Sequence, residues 1–199
     1  AGDPEAAAAA AGAEGGELAL LRQVLALADP GALVLMGHSF GAAGVALALQ
    51  GGLKDRARGA VLFDPWLSPM ADRAIGRGLP VPYACVLSEE WAGYDLEVGL
   101  MRRLRRCSPP PAELAAVSVA GTQHQWVSDA TLWLPRPLLR RLGALGPGDG
   151  CRVHAATVRA VQLLLAELLQ GQRDACVPAG GVGEDLRALD PDVLKPLGC

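Results

Sequence analysis

The residues best able to do chemistry stand in a short segment flanked by glycines, Gly37-His38-Ser39-Phe40-Gly41. It has the pattern G-x-S-x-G, follows an apolar run of strand length and precedes small residues suited to a helix. In that context the motif holds a serine on a sharp turn between strand and helix. Glycines leave room for such a turn, and the Phe40 amide would then point to a developing oxyanion. The segment predicts Ser39 as a nucleophile.

Three histidines could supply the base for this serine: His38, His124 and His154. His38 adjoins Ser39, so its side chain is expected to point away and to support the turn. His154 opens a predicted helix, where a surface position is expected. His124 follows an apolar run, and its loop can return an imidazole to the serine. It also satisfies the order serine, acid, histidine of α/β-hydrolases, so His124 is the predicted base.

The acid partner of the histidine is left open by position alone. Its task is to hold the imidazole in one tautomer and to stabilise the imidazolium. Asp64 ends the apolar run after Ser39, and Glu89 or Glu90 follows the next run. Many α/β-hydrolases place the acid on the later strand, and an Asp64-Pro65 pair can also be a simple turn.

The segments around these residues alternate between strand-like and helix-like patterns. We predict strands over 32–36, 57–63, 81–87 and 114–120, and helices over 17–29, 42–50, 95–106 and 154–169. This alternation predicts an α/β fold with a mostly parallel sheet and right-handed crossovers. Ligands of such sheets bind at the carboxyl ends of the strands, which is where Ser39, Asp64, Glu89 and His124 fall.

Composition limits the class of protein. Eighteen basic and 21 acidic residues leave a formal net charge of −3, which argues against a nucleic-acid binder. No calcium loop of the D-x-D-x-D-G kind and no histidine-rich cluster is present, so no metal cofactor is expected. Residues 1–16 are predicted to be a low-complexity linker or cut end, 17–170 a catalytic domain, and 171–199 a loose tail.

Several motifs together resemble the platelet-activating-factor acetylhydrolases of the plasma and type II intracellular kind. L-M-G-H-S-F-G-A-A at 35–43 is similar to their V-I-G-H-S-F-G-G-A, and F-D-P-W-L-S-P-M at 63–70 to their L-D-A-W-M-F-P-L. S-E-E at 88–90, M-R-R-L-R-R-C-S-P at 101–109 and G-T-Q-H-Q at 121–125 also have counterparts there, in the same order. The combination of D-x-W-x-x-P with G-[ST]-x-H-Q is the specific part of the likeness.

The resemblance implies an α/β-hydrolase fold with Ser39 as nucleophile, Asp64 as acid and His124 as base. It implies a calcium-independent esterase, without cofactors, that removes acetyl or short oxidised acyl groups from the sn-2 position of phospholipids. The basic helix ending at Cys107-Ser108-Pro109 looks more like the secreted plasma form than a cytoplasmic one. Other interpretations stay open: a different carboxylesterase or lipase on the same fold, or a fragment with an incomplete site.

The chain departs from the family pattern in two residues and in length. Ala42 replaces a glycine, and Pro65 replaces an alanine after the acid. The family has several strands before the nucleophile, together with a loop that supplies a second oxyanion amide. From the residues present, we expect the C-terminal half of the sheet, with the first strand unpaired on one side and the isolated chain prone to aggregate.

Two surfaces could contact a membrane or lipoprotein. Arg102, Arg103, Arg105 and Arg106 stand beside Leu100 and Leu104, although cations at a helix C-terminus are also explained by the helix dipole. The second candidate surface consists of Trp133, Leu134, Leu138 and Leu139. The alternative for these four residues is packing in the core or under a lid.

Overall fold

A computed structural model describes residues 18–20, 22, 26, 29, 31–110, 113–128, 133–148, 150–170, 185 and 188–197. The chain divides into two units, Ala1–Gly31 and Ala32–Cys199. In the first unit, residues 18–20, 22 and 26 are helical, within the helix predicted over 17–29. Asp29, at the predicted end of that helix, is described and is not helical. The other residues of the predicted helix, and the low-complexity segment 1–16, lie outside the described residues.

The second unit contains one five-stranded sheet in the order β1-β2-β3-β4-β5. The strands are Leu33–His38 (β1), Ala57–Phe63 (β2), Tyr83–Ser88 (β3), Glu113–Val119 (β4) and Leu194–Pro196 (β5). β1 to β4 are mutually parallel, and β5 is antiparallel to β4. The predicted strands and mostly parallel sheet are confirmed. Among the described strands, β1 pairs with β2 alone and forms an edge.

The helices of the second unit lie in the connections between strands and after β4. They are Phe40–Gln50 (α1), Asp72–Ile75 (α2), Glu89–Ala92 (α3), Asp95–Cys107 (α4), Arg136–Arg141 (α5) and Gly150–Gln170 (α6), with a 3₁₀ turn at His124–Val127. α6 begins before the predicted start at 154. β5 lies in the segment predicted to be a loose tail, where it adds a short strand to β4.

A hydrophobic core covers each face of the sheet, because the side chains of a strand point alternately to opposite faces. In β2, Ala60 and Leu62 belong to one core and Val61 and Phe63 to the other. The first core takes helical residues from α1, α2 and α4, among them Ala42, Ala46, Leu49, Ala74, Ile75, Met101 and Leu104. The second takes them from α6: Val153, Ala160, Leu164 and Leu168. The sheet is therefore covered by helices on both sides.

Small residues let α1 pack closely beside the strand that precedes it. Ala42, Ala43 and Ala46 are buried, whereas Gly44 is exposed. Gly44 does not share in this packing, because a Cβ atom placed on it would meet nothing within 4 Å. The close approach therefore depends on the alanines of α1.

No helix in the described part of the chain is long and apolar enough to cross a membrane.

Candidate active site

Ser39 stands at the turn between β1 and α1, in a backbone conformation rare for a residue with a side chain. Its φ is 57° and its ψ is −124°. Three backbone hydrogen bonds hold it: its N–H donates to the Phe63 carbonyl at 2.9 Å, and its own carbonyl accepts from Ala42 at 3.0 Å and Trp66 at 3.1 Å. The strained turn is fixed by the strand, the helix and the loop after β2.

The two glycines of the motif have different structural roles. A Cβ atom on Gly37 would lie 2.6 Å from the carbonyl oxygen of Gly41 and 2.8 Å from the Ala42 nitrogen, both of them backbone atoms. A Cβ atom on Gly41 would meet nothing within 4 Å. The expectation that both positions require glycine is therefore supported by the local geometry only at Gly37.

Ser39, His124 and Asp64 form a continuous hydrogen-bonded chain. His124 Nε2 lies 2.8 Å from Ser39 Oγ, and His124 Nδ1 lies 3.1 Å from Asp64 Oδ2. An ionised carboxylate only accepts, so Nδ1 carries the proton and Nε2 of the neutral ring is free to accept from the serine hydroxyl. The three residues, far apart in sequence, are brought together at the carboxyl ends of β1, β2 and β4.

Asp64 is fully buried and also adopts a positive φ, 40°. Ser88 N–H donates to Oδ1 at 2.5 Å, and the Ser88 hydroxyl donates to Oδ2 at 2.8 Å. Burial raises the pKa of the Asp64 carboxyl, and the hydrogen bonds from Ser88 and His124 oppose this shift. Ser88 is thus a positioning group for the carboxylate, and it was missed in the sequence because a serine at a strand end carries no distinctive signal.

Glu89 and Glu90, the other two candidates for the acid, hydrogen bond to backbone groups near His124. Glu89 Oε2 accepts from Gly121 N–H at 2.6 Å, and Glu90 Oε2 accepts from the His124 N–H at 2.9 Å. Their carboxylates therefore support the loop that carries the histidine, while the carboxylate on the imidazole itself belongs to Asp64.

The side chain of His38 contacts the loop that carries His124. Its Nε2 lies 2.9 Å from the His124 carbonyl oxygen, and the two rings are 4.7 Å apart. Because a carbonyl only accepts, this nitrogen carries the proton. Burial, reinforced by the nearby His124, lowers the pKa of His38, which favours a neutral ring. His154, the third histidine, is exposed on α6.

The described residues include one group of side chains that could hold a metal ion: His38, Asp64 and His124, whose ligand atoms lie within 4.8 Å of one another. These atoms already take part in hydrogen bonds. Asp64 accepts from Ser88, His124 Nδ1 is directed to Asp64, and His38 Nε2 to a carbonyl. An ion would have to disrupt the chain that joins Ser39 to Asp64, so the donor set fits a metal poorly.

The Phe40 amide lies at the first position of α1, beside Ser39. Among the described residues it donates no backbone hydrogen bond, so it is available to an oxyanion. The Phe40 side chain is exposed and packs edge-on against Trp66, with ring centroids 6.3 Å apart. These two aromatic rings form an apolar rim beside the nucleophile.

A separate cavity of about 410 Å³ lies behind the histidine loop. Gly121, Thr122 and Trp126 line it from the loop, and residues of α5 and α6 line it from the other side. None of Ser39, Asp64 and His124 lines this cavity. We therefore do not assign it as the substrate pocket.

The two candidate lipid surfaces differ in exposure. In α4, Leu104 is buried in the core and Leu100 packs partly against it, so these leucines do not accompany the arginines on a lipid-facing surface. Arg103 also pairs with Asp72 at 2.8 Å. Around α5, Leu139 is buried, but an exposed group remains, which we call the α5 patch: Trp133, Leu134, Leu138 and Leu142.

The fold and the arrangement of these residues define a class. A mostly parallel sheet with helices on both faces carries a serine on a tight turn after a strand, with a histidine and an aspartate at neighbouring strand ends. This is the architecture of an α/β-hydrolase.

Comparison with known proteins specifies the family within this class. Residues 18–176 match the family model described as platelet-activating factor acetylhydrolase, isoform II. The chain belongs to this family. A platelet-activating factor acetylhydrolase of Canis lupus familiaris is 28% identical over 103 residues, covering 52% of this chain and 22% of that protein. The match thus spans under a quarter of the relative's length.

Proposed function

We propose that the chain is a serine esterase in which Ser39 is the nucleophile, His124 the base and Asp64 the acid. The observation that carries the proposal is the hydrogen-bonded sequence from Ser39 Oγ through His124 to Asp64. The family implies the substrate: the sn-2 acetyl ester, or a short or oxidised acyl ester, of a phospholipid such as platelet-activating factor. No calcium or other cofactor is required in this proposal.

Acylation follows from the polarity of the hydrogen bonds. As Ser39 Oγ attacks the ester carbonyl, its proton passes to His124 Nε2, and the charge on the imidazolium is balanced by Asp64. The carbonyl oxygen becomes an oxyanion that accepts from the Phe40 amide at the start of α1. His124 then gives the proton to the departing lysophospholipid oxygen. The products of this half-reaction are an acyl-Ser39 ester and a lysophospholipid.

Deacylation uses the same groups with water as the nucleophile. His124 removes a proton from water as the water oxygen attacks the acyl-Ser39 carbonyl, and that proton passes to Ser39 Oγ as the carboxylic acid leaves and then ionises in solvent. The strained turn holds the Ser39 hydroxyl within hydrogen-bond distance of His124 Nε2. Little reorganisation is therefore needed between the two half-reactions.

The experiment that tests the proposal combines a fluorophosphonate probe with an acetyl-ester phospholipid. In the full chain, Ser39→Ala and His124→Ala should each abolish labelling and reduce turnover by ~10⁴-fold, whereas His154→Ala serves as the matched histidine control. Turnover should persist in EDTA. An inactivating effect of His154→Ala would reject His124 as base, and absence of labelling in the wild type would favour an inactive fragment.

The choice of substrate separates the family activity from a related one. Hydrolysis of the acetyl phospholipid should exceed that of the same lipid with a long sn-2 chain. A preference for long acyl chains, or a strict calcium requirement, would favour a lipase or another carboxylesterase.

We further propose that the α5 patch contacts the surface of a membrane or lipoprotein, since its apolar side chains are exposed.

A further inference from the structure

Four consecutive residues, Ser88–Trp91, contact either the proposed catalytic residues or the loop that carries His124, and we call them the 88–91 clamp. Ser88 binds the Asp64 carboxylate, Glu89 binds Gly121 N–H, and Glu90 binds the His124 N–H. Trp91 completes the set by stacking on the His124 ring, with ring centroids 4.1 Å apart and planes inclined by 14°. One turn at the end of β3 therefore orients both the acid and the histidine.

The indole of Trp91 is itself fixed from several sides. Its Nε1–H donates to the Pro65 carbonyl at 3.2 Å, next to Asp64, and its backbone N–H donates to Ser88 Oγ at 3.0 Å. Tyr94 packs edge-on against the indole at 5.1 Å, and the Tyr94 hydroxyl donates to Glu90 Oε1. These contacts fix the plane of the indole against the imidazole of His124.

We infer that Trp91 is a positioning residue that fixes the ring plane of His124 and favours its charged form during turnover. This inference rests on the proposed role of His124 as base. The face of an indole is electronegative and attracts a cation placed over it. Because the imidazole becomes positively charged only when it takes the Ser39 proton, the stack is stronger in the transition state than in the resting site.

Several groups besides Trp91 surround the imidazole of His124. The Asp64 carboxylate faces Nδ1, Ser39 Oγ faces Nε2, and Glu90 binds the His124 backbone N–H. The ring of His38 lies 4.7 Å away. The Asp64 carboxylate stabilises the imidazolium that forms as His124 takes the Ser39 proton, and the indole face of Trp91 adds an attraction from an uncharged side chain.

The test compares Trp91→Leu, which removes the aromatic face, with Trp91→Phe, which keeps a face but loses the Nε1–H donor. Turnover of a water-soluble acetyl ester is measured across pH. We expect Trp91→Leu to lower kcat about tenfold with KM little changed, and to move the acid limb of the profile about half a pH unit lower. Trp91→Phe should restore most of both. Trp66→Leu, which removes an indole that does not stack on His124, should leave the acid limb in place.

Distinct results would overturn the inference. A raised KM with kcat unchanged would make Trp91 a wall of the substrate site, and an equal loss in Trp91→Phe and Trp91→Leu would assign the effect to the Pro65 hydrogen bond. Thermal melts identify a variant that does not fold. If Trp91→Leu does not fold, Trp91→Met replaces it, because the flexible methionine side chain fills more of the space left by the indole.

The inference and the proposed function can fail separately. If Ser39→Ala retains turnover, the proposed function is wrong. The stack is then tested by NMR, in which the indole ring current should shift the His124 ring protons upfield in the wild type. That shift should be lost in Trp91→Leu, and its absence from the wild type would remove the basis of the inference.

Discussion

Asp64 shows the cost of a charged group in a water-excluded position. Its carboxylate is fully buried, its φ is positive, and burial raises its pKa against the opposing hydrogen bonds of Ser88 and His124. Because the folded-state pKa lies above that of the unfolded chain, the ionised form costs folding stability above that pKa. This cost decreases as the pH falls through the folded-state pKa. It is absent once the carboxyl is protonated in both the folded and the unfolded chain.

Asp64→Asn should therefore separate stability from activity. Turnover should fall by ~10⁴-fold, since an amide favours the wrong imidazole tautomer. The free energy of unfolding should rise by about 1 kcal/mol near neutral pH, and the gain should shrink as the pH approaches about 4. Urea denaturation at both pH values, beside an esterase assay, measures the two effects.

Glu89→Gln is the control for Asp64→Asn, because it also replaces a carboxylate with an amide. The Gln carbonyl oxygen can still accept from Gly121 N–H, so turnover should change by less than about tenfold. If Glu89→Gln were the crippling substitution and Asp64→Asn the mild one, the acid would belong to the later strand and the proposed assignment would be wrong.

The residues differ in how far sequence alone identifies them. Ser39 and His124 follow from a glycine-flanked motif and from chain order. Asp64 required the family resemblance, since Glu89 and Glu90 end a strand equally well and only three-dimensional geometry directs one carboxylate at the imidazole. The stacking of Trp91 and the contact of His38 depend on side-chain directions across separate elements, which no local spacing encodes.

At the scale of elements, the turn between β1 and α1 is determined by backbone crowding. The carbonyl of Gly41 approaches Gly37 so closely that a methyl group has no space, while Gly41 itself faces open space. The four parallel strands were predictable because each is largely an apolar run of strand length, and β2 and β3 are buried along nearly their whole length. β5 was not, because its three residues carry no periodic pattern and depend on pairing with β4.

Gly37→Ala should disrupt this turn. The added methyl group would contact backbone atoms at 2.6 to 2.8 Å, so the turn or α1 must move. We expect a loss of about 2 kcal/mol in the free energy of unfolding and a large drop in fluorophosphonate labelling of Ser39. Urea melts and labelling kinetics of the purified variant measure these changes.

Gly41→Ala is the matched control within the same motif. Its methyl group meets nothing within 4 Å, and alanine is a better helix former than glycine, so stability should be unchanged or rise by about 0.5 kcal/mol. Equal damage from both substitutions would show that the motif is sensitive to any side chain and that the crowding at Gly37 is not the cause.

Across the described residues, apolar side chains are divided between two cores and the surface, and the α5 patch is one of the exposed groups. The cores account for the leucines and valines that face the sheet, including Leu104, which composition alone could not distinguish from surface residues. The α5 patch remains outside them, and the proposed substrate is a lipid held in an assembly. A surface that holds the protein on that assembly would raise the local concentration of substrate near Ser39.

Leu142→Ser tests this role of the α5 patch, because Leu142 is 66% exposed and its loss should not disturb the core. Removing one leucine side chain from a lipid contact should weaken binding to phospholipid vesicles about tenfold. Leu47→Ser, at a leucine 50% exposed on α1, controls for the general loss of apolar surface and should bind as the wild type does. Vesicle co-sedimentation measures binding, and a water-soluble acetyl ester, which bypasses the lipid surface, should be hydrolysed at the wild-type rate by Leu142→Ser. Equal weakening by Leu47→Ser, or undiminished binding by Leu142→Ser, would remove the α5 patch from the proposal.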